Sequence, residues 1–408
     1  MRGRIAKNTV LYILFDIITK IIPFILIPIV TSYLTVEEYG KVSLFQTLIE
    51  ISTILVVCGG HQRYRFLFFN QEKESSIIFI KPIIVSLFLS IIIFLIYIGG
   101  YLFGEIEILM LLAPVVAFFQ SIISLYICRF QNEENPKKIG MISVTLSGVG
   151  LILTILFFKL GFGLEGRYLS IALAPTAIGL LLILQFSSNV ERKVFSSAFT
   201  DLANFIKHSV QYLPTSLSWW LRNGMDRIII NILLGTASVG IFSLLTQLSM
   251  ILTVFGMAMN NAFMPNIFKL IRRKHYRDTI KLLSTFCVII FFVTLILILT
   301  LPVLIKMLLP EEYWLAIDYI SIALFSTSLY IIYVALTNLL VASDLSGKLS
   351  VLSIISAFFH VFLSWILVKE YYILGVFYSA IISYCFSISL LIILWKFCMK
   401  NNSDTNLM

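Results

Sequence analysis

The stretch Leu282-Leu-Ser-Thr-Phe-Cys-Val-Ile-Ile-Phe-Phe-Val-Thr-Leu-Ile-Leu-Ile-Leu-Thr-Leu301 decides the fold. It contains no charged residue, and as a helix of about 20 residues it would just cross a hydrocarbon core roughly 30 Å thick. Inside lipid the backbone must satisfy its own polar groups, which leaves a helix or a closed barrel. The apolar residues run on without the two-residue alternation of a barrel strand, so the helix is selected. Comparable runs recur along the chain of 408 residues, which is 59% hydrophobic and only 12% charged. A soluble domain carries roughly 25% charged residues, so this chain cannot cover its surface for water and has lipid as its solvent.

Working outward, the apolar runs cover 9–34, 40–58, 77–98, 108–128, 139–158, 168–187, 209–234, 239–260, 280–301, 316–341, 350–368 and 376–396. They predict an all-α integral membrane protein with about twelve transmembrane helices. Met1–Asn8 is basic and leads into the first run. Pro23 and Pro28 sit in a stretch too long for a signal-peptide core, with no small-residue cleavage site after it, so a retained first span is expected. Orientation follows from Lys and Arg in the short loops. With the N-terminus inside, most of the 30 basic residues fall on the inner side, among them Arg63, Arg65, Arg129, Lys137, Lys138 and the run Lys269–Lys281. The opposite loops are short and carry Glu37, Glu38, Glu165, Glu311 and Glu312. Both termini are therefore expected in the cytoplasm. The net charge of +9 is a topology signal rather than a nucleic-acid surface, and the run Lys269–Lys281 reads as an inner-surface segment touching anionic membrane lipid. The five cysteines lie in spans or on the inner side, so no disulfide is expected.

An internal repeat divides the chain. Leu34-Thr-Val-Glu-Glu-Tyr-Gly40-Lys-Val-Ser43-Leu44-Phe-Gln-Thr-Leu48 aligns with Leu234-Gly-Thr-Ala-Ser-Val-Gly240-Ile-Phe-Ser243-Leu244-Leu-Thr-Gln-Leu248, with Leu, Gly, Ser, Leu and Leu matched. Each stretch opens an even-numbered span. The expected domains are an N-terminal six-helix bundle over 1–187, a cytoplasmic linker over 188–208 and a C-terminal six-helix bundle over 209–408, related by a pseudo-two-fold repeat. Such pairs of bundles form a central cavity and transport by rocking one half against the other.

No phosphate-binding Gly-rich loop is present, since Gly347-Lys348 lacks the rest of the Walker pattern. The four histidines show no metal-ligand spacing with Cys or Asp, so neither metal nor cofactor is expected, and no outer loop is large enough for an enzyme's catalytic groups. Charges inside spans carry the information, because each costs about 2.5–3.5 kcal/mol at a helix centre. Asp16 and Lys20 are four apart, as are Arg222 and Asp226, and each pair is placed to neutralise itself along one helix. Arg227 adds an unpaired cation beside the second pair, and Glu50 lies mid-span in the second run. Lys20, Arg222 and Arg227, with Arg63 and Arg65 at the inner mouth, are the candidate anion-binding residues. Asp16, Glu50 and Asp226 are the candidate ion-coupling residues, able to change charge. The plain alternative is that the pairs only hold helices together, that Glu50 is a protonated core residue, and that Arg63 and Arg65 only set topology. His360, mid-span in 350–368, reads as a satisfied core histidine.

Three features carry a resemblance: the basic cap with Asn8-Thr9 before a Pro-containing first helix, Tyr39-Gly40 opening the second, and Leu213-Pro214…Asp226-Arg227-Ile…Leu234-Gly235…Val239-Gly240-Ile-Phe-Ser243. In these the chain resembles the O-antigen (Wzx-type) polysaccharide flippases of the multidrug/oligosaccharidyl-lipid/polysaccharide superfamily over nearly its full length. It departs from them at Ser32-Tyr-Leu-Thr35-Val36, where such proteins often carry an Arg and a Gly-Pro-like turn. The resemblance implies a non-enzymatic flippase of the bacterial inner membrane. Its substrate would be an undecaprenyl-pyrophosphate-linked oligosaccharide, an O-antigen (lipopolysaccharide) or capsule repeat unit. Alternating access driven by an ion gradient would carry it from the inner to the outer leaflet. A polysaccharide polymerase and a chain-length regulator are the protein partners the resemblance implies, and nucleic acid is not a partner. The alternatives are a drug or cation antiporter of the same superfamily, which wants an acidic cavity, and a non-transporting scaffold of glycan assembly.

Overall fold

The expected spans are helices in the computed structural model, and no described residue forms a strand. The structure describes residues 2–70, 76–104, 107–187, 199 and 201–404, without the side chains of 2–14, 16, 17 and 398–404. Among the described residues, ten helices are long and apolar enough to cross a membrane, and Ile18–Tyr33 is a shorter apolar helix. With the divided seventh run described below, these make about twelve crossings of a multi-pass membrane protein. Large apolar side chains such as Phe88, Ile96, Phe291 and Phe362 stand exposed, as lipid-facing helices require.

The chain forms two compact units, one of residues 1–34 and 41–217, the other of residues 35–40 and 218–408. In the first are α1 (Arg2–Tyr33), most of α2 (Val36–Val57), α3 (Gly60–Asn70), α4 (Ser76–Leu102), α5 (Leu112–Asn132), α6 (Pro136–Lys159), α7 (Gly163–Ser187) and α8 (Leu202–Ser209). Here α6 packs on both α1 and α7, and α5 on α4 and α7. Pro136 starts α6 where a missing N–H costs nothing, and the Asn135 side chain caps the Lys138 N–H at 3.3 Å. The second run was expected as one helix over 40–58, with Arg63 and Arg65 just past its end. The chain instead turns at Cys58 and Gly59, both at positive φ, and α3 follows. A Cβ on Gly59 would lie 2.1 Å from the Ser209 carbonyl oxygen, so only glycine fits there. Buried Tyr64 then anchors α3, its ring 5.5 Å from that of Phe79.

In the second unit are α9 (Leu213–Asn223, from Ser218 onward), α10 (Met225–Leu234), α11 (Thr236–Arg272), α12 (Tyr276–Leu308), α13 (Ala316–Ala342), α14 (Ser346–Tyr371) and α15 (Ile373–Asp404). Helix α13 packs on α11, α12 and α15, while α14 packs on α15 and α10. Thr35–Gly40 joins this unit. Thr35 and Glu38 form a capping box: Glu38 Oε2 accepts from the Thr35 N–H at 2.9 Å, and Thr35 Oγ1 from the Glu38 N–H at 3.3 Å. The matched glycines of the repeat are points of close approach to backbone. A Cβ on Gly40 would lie 2.0 Å from the Thr236 carbonyl oxygen, and one on Gly240 would lie 2.1 Å from that of Val36.

Candidate functional site

The seventh run was expected as a continuous helix over 209–234. It breaks at Gly224, between α9 and α10. A Cβ on Gly224 would lie 2.5 Å from Trp220 Nε1, so the indole occupies the space a side chain would need. The Arg227 N–H bonds the Gly224 carbonyl at 3.2 Å instead of reaching back four residues. That frees the Asn223 carbonyl, which accepts from Arg227 Nη1 at 3.2 Å. Arg227 thus serves the break in its own helix and is not among the residues lining the cavity described next.

The break also separates Arg222 from Asp226. Four residues apart on an unbroken helix, they could have paired with each other, the plain alternative to a role in a cavity. In the structure each has other partners. Asp226, 5% exposed, has both carboxylate oxygens within 3.1–3.2 Å of His360 Nε2, and Oδ1 accepts from Ser364 Oγ at 2.8 Å. Arg222 reaches elsewhere: Nη2 donates to Ser356 Oγ, and to Ser387 Oγ at 3.2 Å, while its guanidinium carbon lies 4.4 Å from the Tyr384 ring centre and 5.4 Å from that of Tyr333. Its Nε is buried without a hydrogen-bond partner, and no carboxylate is ion-paired with it among the described residues.

Two ladders at four-residue spacing supply these partners. Ser356, His360 and Ser364 lie on one face of α14, and Ser379, Ser383 and Ser387 on one face of α15. All six are fully buried. Sequence reasoning missed them, although Ser-x-x-x-His-x-x-x-Ser followed by Ser-x-x-x-Ser-x-x-x-Ser in consecutive apolar spans is the signal that could have found them. His360 is buried as a core histidine would be, and it also lines the cavity, which reading it as core alone did not foresee.

The hydroxyl protons are accounted for. Ser379 Oγ donates to the Val376 carbonyl at 2.7 Å and Ser383 Oγ to that of Ala380 at 3.1 Å. Both hydroxyls also face His360 Nδ1, at 3.5 and 3.4 Å. Arg222 is always protonated, so it is a permanent cation on this seam.

A cavity of about 250 Å³ opens on this seam, lined by Arg222, Asp226, His360, Tyr330 and Tyr384 with Trp219, Phe242 and Phe377. It is an aromatic-walled pocket in which Arg222 makes no direct ion pair among the described residues, an arrangement that can hold an anion beside apolar or ring-shaped groups. The other candidate residues lie in the first unit. Arg65 Nη2 donates to Gln131 Oε1 at 2.6 Å, and the Arg63 guanidinium lies 5.1 Å from the Phe66 ring centre with Nε buried and unpartnered. Lys20 and Glu50 are half-buried on α1 and α2, and the Asp16 side chain lies outside the described residues.

The fold is shared with solved transporters of the MOP superfamily. The chain is similar to the lipid II flippase MurJ in an inward closed conformation, with a TM-score of 0.76 over 95% of this chain and 87% of that one at 14% identity. It is similar also to an inward-facing multidrug resistance MATE family transporter, with a TM-score of 0.66 over 95% of each chain at 18% identity. Residues 5–271 match the polysaccharide biosynthesis protein family, and the chain belongs to that family. A membrane protein of Haemophilus influenzae is 26% identical over 371 residues, covering 86% of this chain and 87% of that one.

Proposed function

We propose that the protein is a flippase that carries an undecaprenyl-pyrophosphate-linked oligosaccharide from the inner to the outer leaflet of the bacterial cytoplasmic membrane by alternating access. Arg222 is the observation that carries this reading. It is a cation within an apolar bundle, bonded to hydroxyls and aromatic rings but to no carboxylate among the described residues. An isolated charge in lipid is expensive unless it has a task, and a pyrophosphate head group must cross the same low-dielectric layer. Arg222 supplies the compensating charge and two or more directed donors. Tyr330, Tyr384 and Trp219 supply ring faces for sugars. The same cation repels a cationic drug, which disfavours the antiporter alternative.

The pair Asp226–His360 is the proposed coupling site. It takes up or releases one proton, and that change of charge is felt by Arg222 on α9 and by Tyr330, Tyr333 and Tyr384 on α13 and α15. All the donors on Asp226 are N–H or O–H groups, which suits a proton better than a metal cation. Lys20, Arg63, Arg65 and Arg227 remain proposed contacts for the travelling head group, and Asp16 and Glu50 further proposed coupling groups. The basic inner loops support cytoplasmic termini, and a polymerase and chain-length regulator would receive the product.

The test is the leaflet distribution of lipid-linked repeat units in cells lacking the gene. Build-up on the inner face, relieved by the parent protein and not by Arg222→Ala at equal protein level, is the expected result. Units reaching the outer face without the protein would overturn transport in favour of a scaffold. Restored drug resistance in an efflux-deficient host, with normal glycan in the deletion strain, would point to the antiporter.

A further inference from the structure

A second opening, sharing no lining residue with the first, lies where α11 meets α12. Its volume is about 480 Å³, and Lys269, Arg273, Lys281, Asp278, Leu270 and Leu282 contribute to its wall. The turn that builds it is fixed. His275 N–H bonds the Leu270 carbonyl and Lys274 N–H that of Ile271, both at 2.9 Å, with Lys274 in the left-handed region at φ 59°. This is a Schellman closure of α11, with a lysine standing where glycine is usual. The cations on either side of the turn are thereby held at a set separation.

Charge and depth point to the same occupant. Lys269, Arg273 and Lys281 are exposed, and none is ion-paired among the described residues. The one carboxylate in the wall, Asp278, is engaged by His275 Nδ1 at 3.4 Å. Along α12, Val288, Phe291, Phe292, Leu295 and Leu299 form an exposed apolar face. From Leu282 to Leu301, the uncharged stretch of this helix, the rise is about 30 Å, the thickness of a hydrocarbon core. Lys281 directly precedes that stretch and so lies at the head-group level of one leaflet. Leu270 and Leu282 add an apolar side to a cleft that is otherwise basic.

We propose that this cleft binds the head group of an anionic phospholipid, its phosphate held by Lys269, Arg273 and Lys281 and its glycerol end set against Leu270 and Leu282. A free phosphate or a soluble nucleotide has no use for the leucines or for the bilayer depth. The site stands independently of the substrate reading, because no residue of the Arg222 cavity takes part.

Purified protein in neutral detergent, titrated with phosphatidylglycerol and followed by native mass spectrometry, tests this. The variant Lys269→Gln/Arg273→Gln/Lys281→Gln should lose affinity on the order of 100-fold, about the worth of three surface cations. The control Arg272→Gln/Lys274→Asn/Arg277→Gln removes the same charge from the same hairpin outside the cleft, and should lose far less. A thermal melt of each variant separates loss of binding from loss of fold, and the single variant Arg273→Gln serves if the triple is unstable. Equal losses in both triples would overturn the site, since only diffuse surface charge would then be acting. Phosphatidylcholine binding as tightly as phosphatidylglycerol, or displacement of the lipid by millimolar inorganic phosphate, would overturn it as well.

Discussion

The Asp226 carboxylate and the His360 imidazole, 134 positions apart in the chain, face each other at 3.1 Å in the buried centre of the second unit. Ser364 holds the carboxylate from the next turn of α14. Partners on separate helices mean that the pair ties α10 to α14. The structural tie and the proposed coupling group are the same atoms.

Removing one member should therefore be costly. His360→Ala leaves Asp226 with Ser364 as its bonded partner and should lower stability by about 3–5 kcal/mol, as breaking a buried pair does. The double variant His360→Ala/Asp226→Ala should be less destabilised than the sum of the singles, with a coupling of about 0.5–3 kcal/mol. Thermal or denaturant melts in detergent measure both. Additive losses would show that the two side chains do not interact.

For Arg222, charge and geometry can be separated. Arg222→Lys keeps the cation but loses the planar fork that reaches both Ser356 and Ser387 and stacks on Tyr384. In a reconstituted flipping assay with a lipid-linked saccharide, Arg222→Ala should reduce the rate by tenfold or more, about 1.4 kcal/mol, and Arg222→Lys should fall between. Equal rates for parent and Arg222→Ala would remove the residue from the transport path.

Proton coupling has its own signature. Flipping by the parent should change when a pH difference is imposed across the vesicle membrane. His360→Gln and Asp226→Asn, which keep hydrogen-bonding groups but cannot share a titrating proton, should flatten that response. A sodium gradient that drives the parent with no pH difference would argue against this pair as a proton site.

Gly224 separates local propensity from tertiary demand. Alanine is better than glycine in a helix by about 1 kcal/mol, so Gly224→Ala favours joining α9 to α10. Its Cβ also lies 2.5 Å from Trp220 Nε1, so the indole must move. The expected outcome is a shifted tryptophan emission spectrum with impaired flipping, at unchanged expression. Parent-like emission and transport would show the break to be incidental.

At Gly40 and Gly240 no side chain can swing aside, because the obstacle is the carbonyl oxygen of Thr236 or of Val36. Gly40→Val and Gly240→Val should each destabilise by at least the 1–3 kcal/mol typical of overpacking. Protein level and melting temperature report this, and a tolerated valine at either position would contradict the close backbone approach.

Much of this architecture is readable from residue types alone. Hydrophobic run length places α6 and α13 within a few residues of where they fold, 139–158 against Pro136–Lys159 and 316–341 against Ala316–Ala342, because the bilayer sets one length for every span and leaves the backbone one way to satisfy itself. The chain by itself determined the membrane class, the helices and the matched glycines near their starts. Partners were another matter. Spacing along one helix suggested Arg222 with Asp226, and that rule holds only while the helix is continuous. The break at Gly224 was invisible because what enforces it is the Trp220 indole filling the space beside the backbone. Tertiary structure alone decided that Asp226 meets His360 and that Arg222 meets serines and tyrosines. Helix formation in lipid is a local matter of backbone hydrogen bonding, whereas pairing a buried charge depends on which faces of distant helices are packed together.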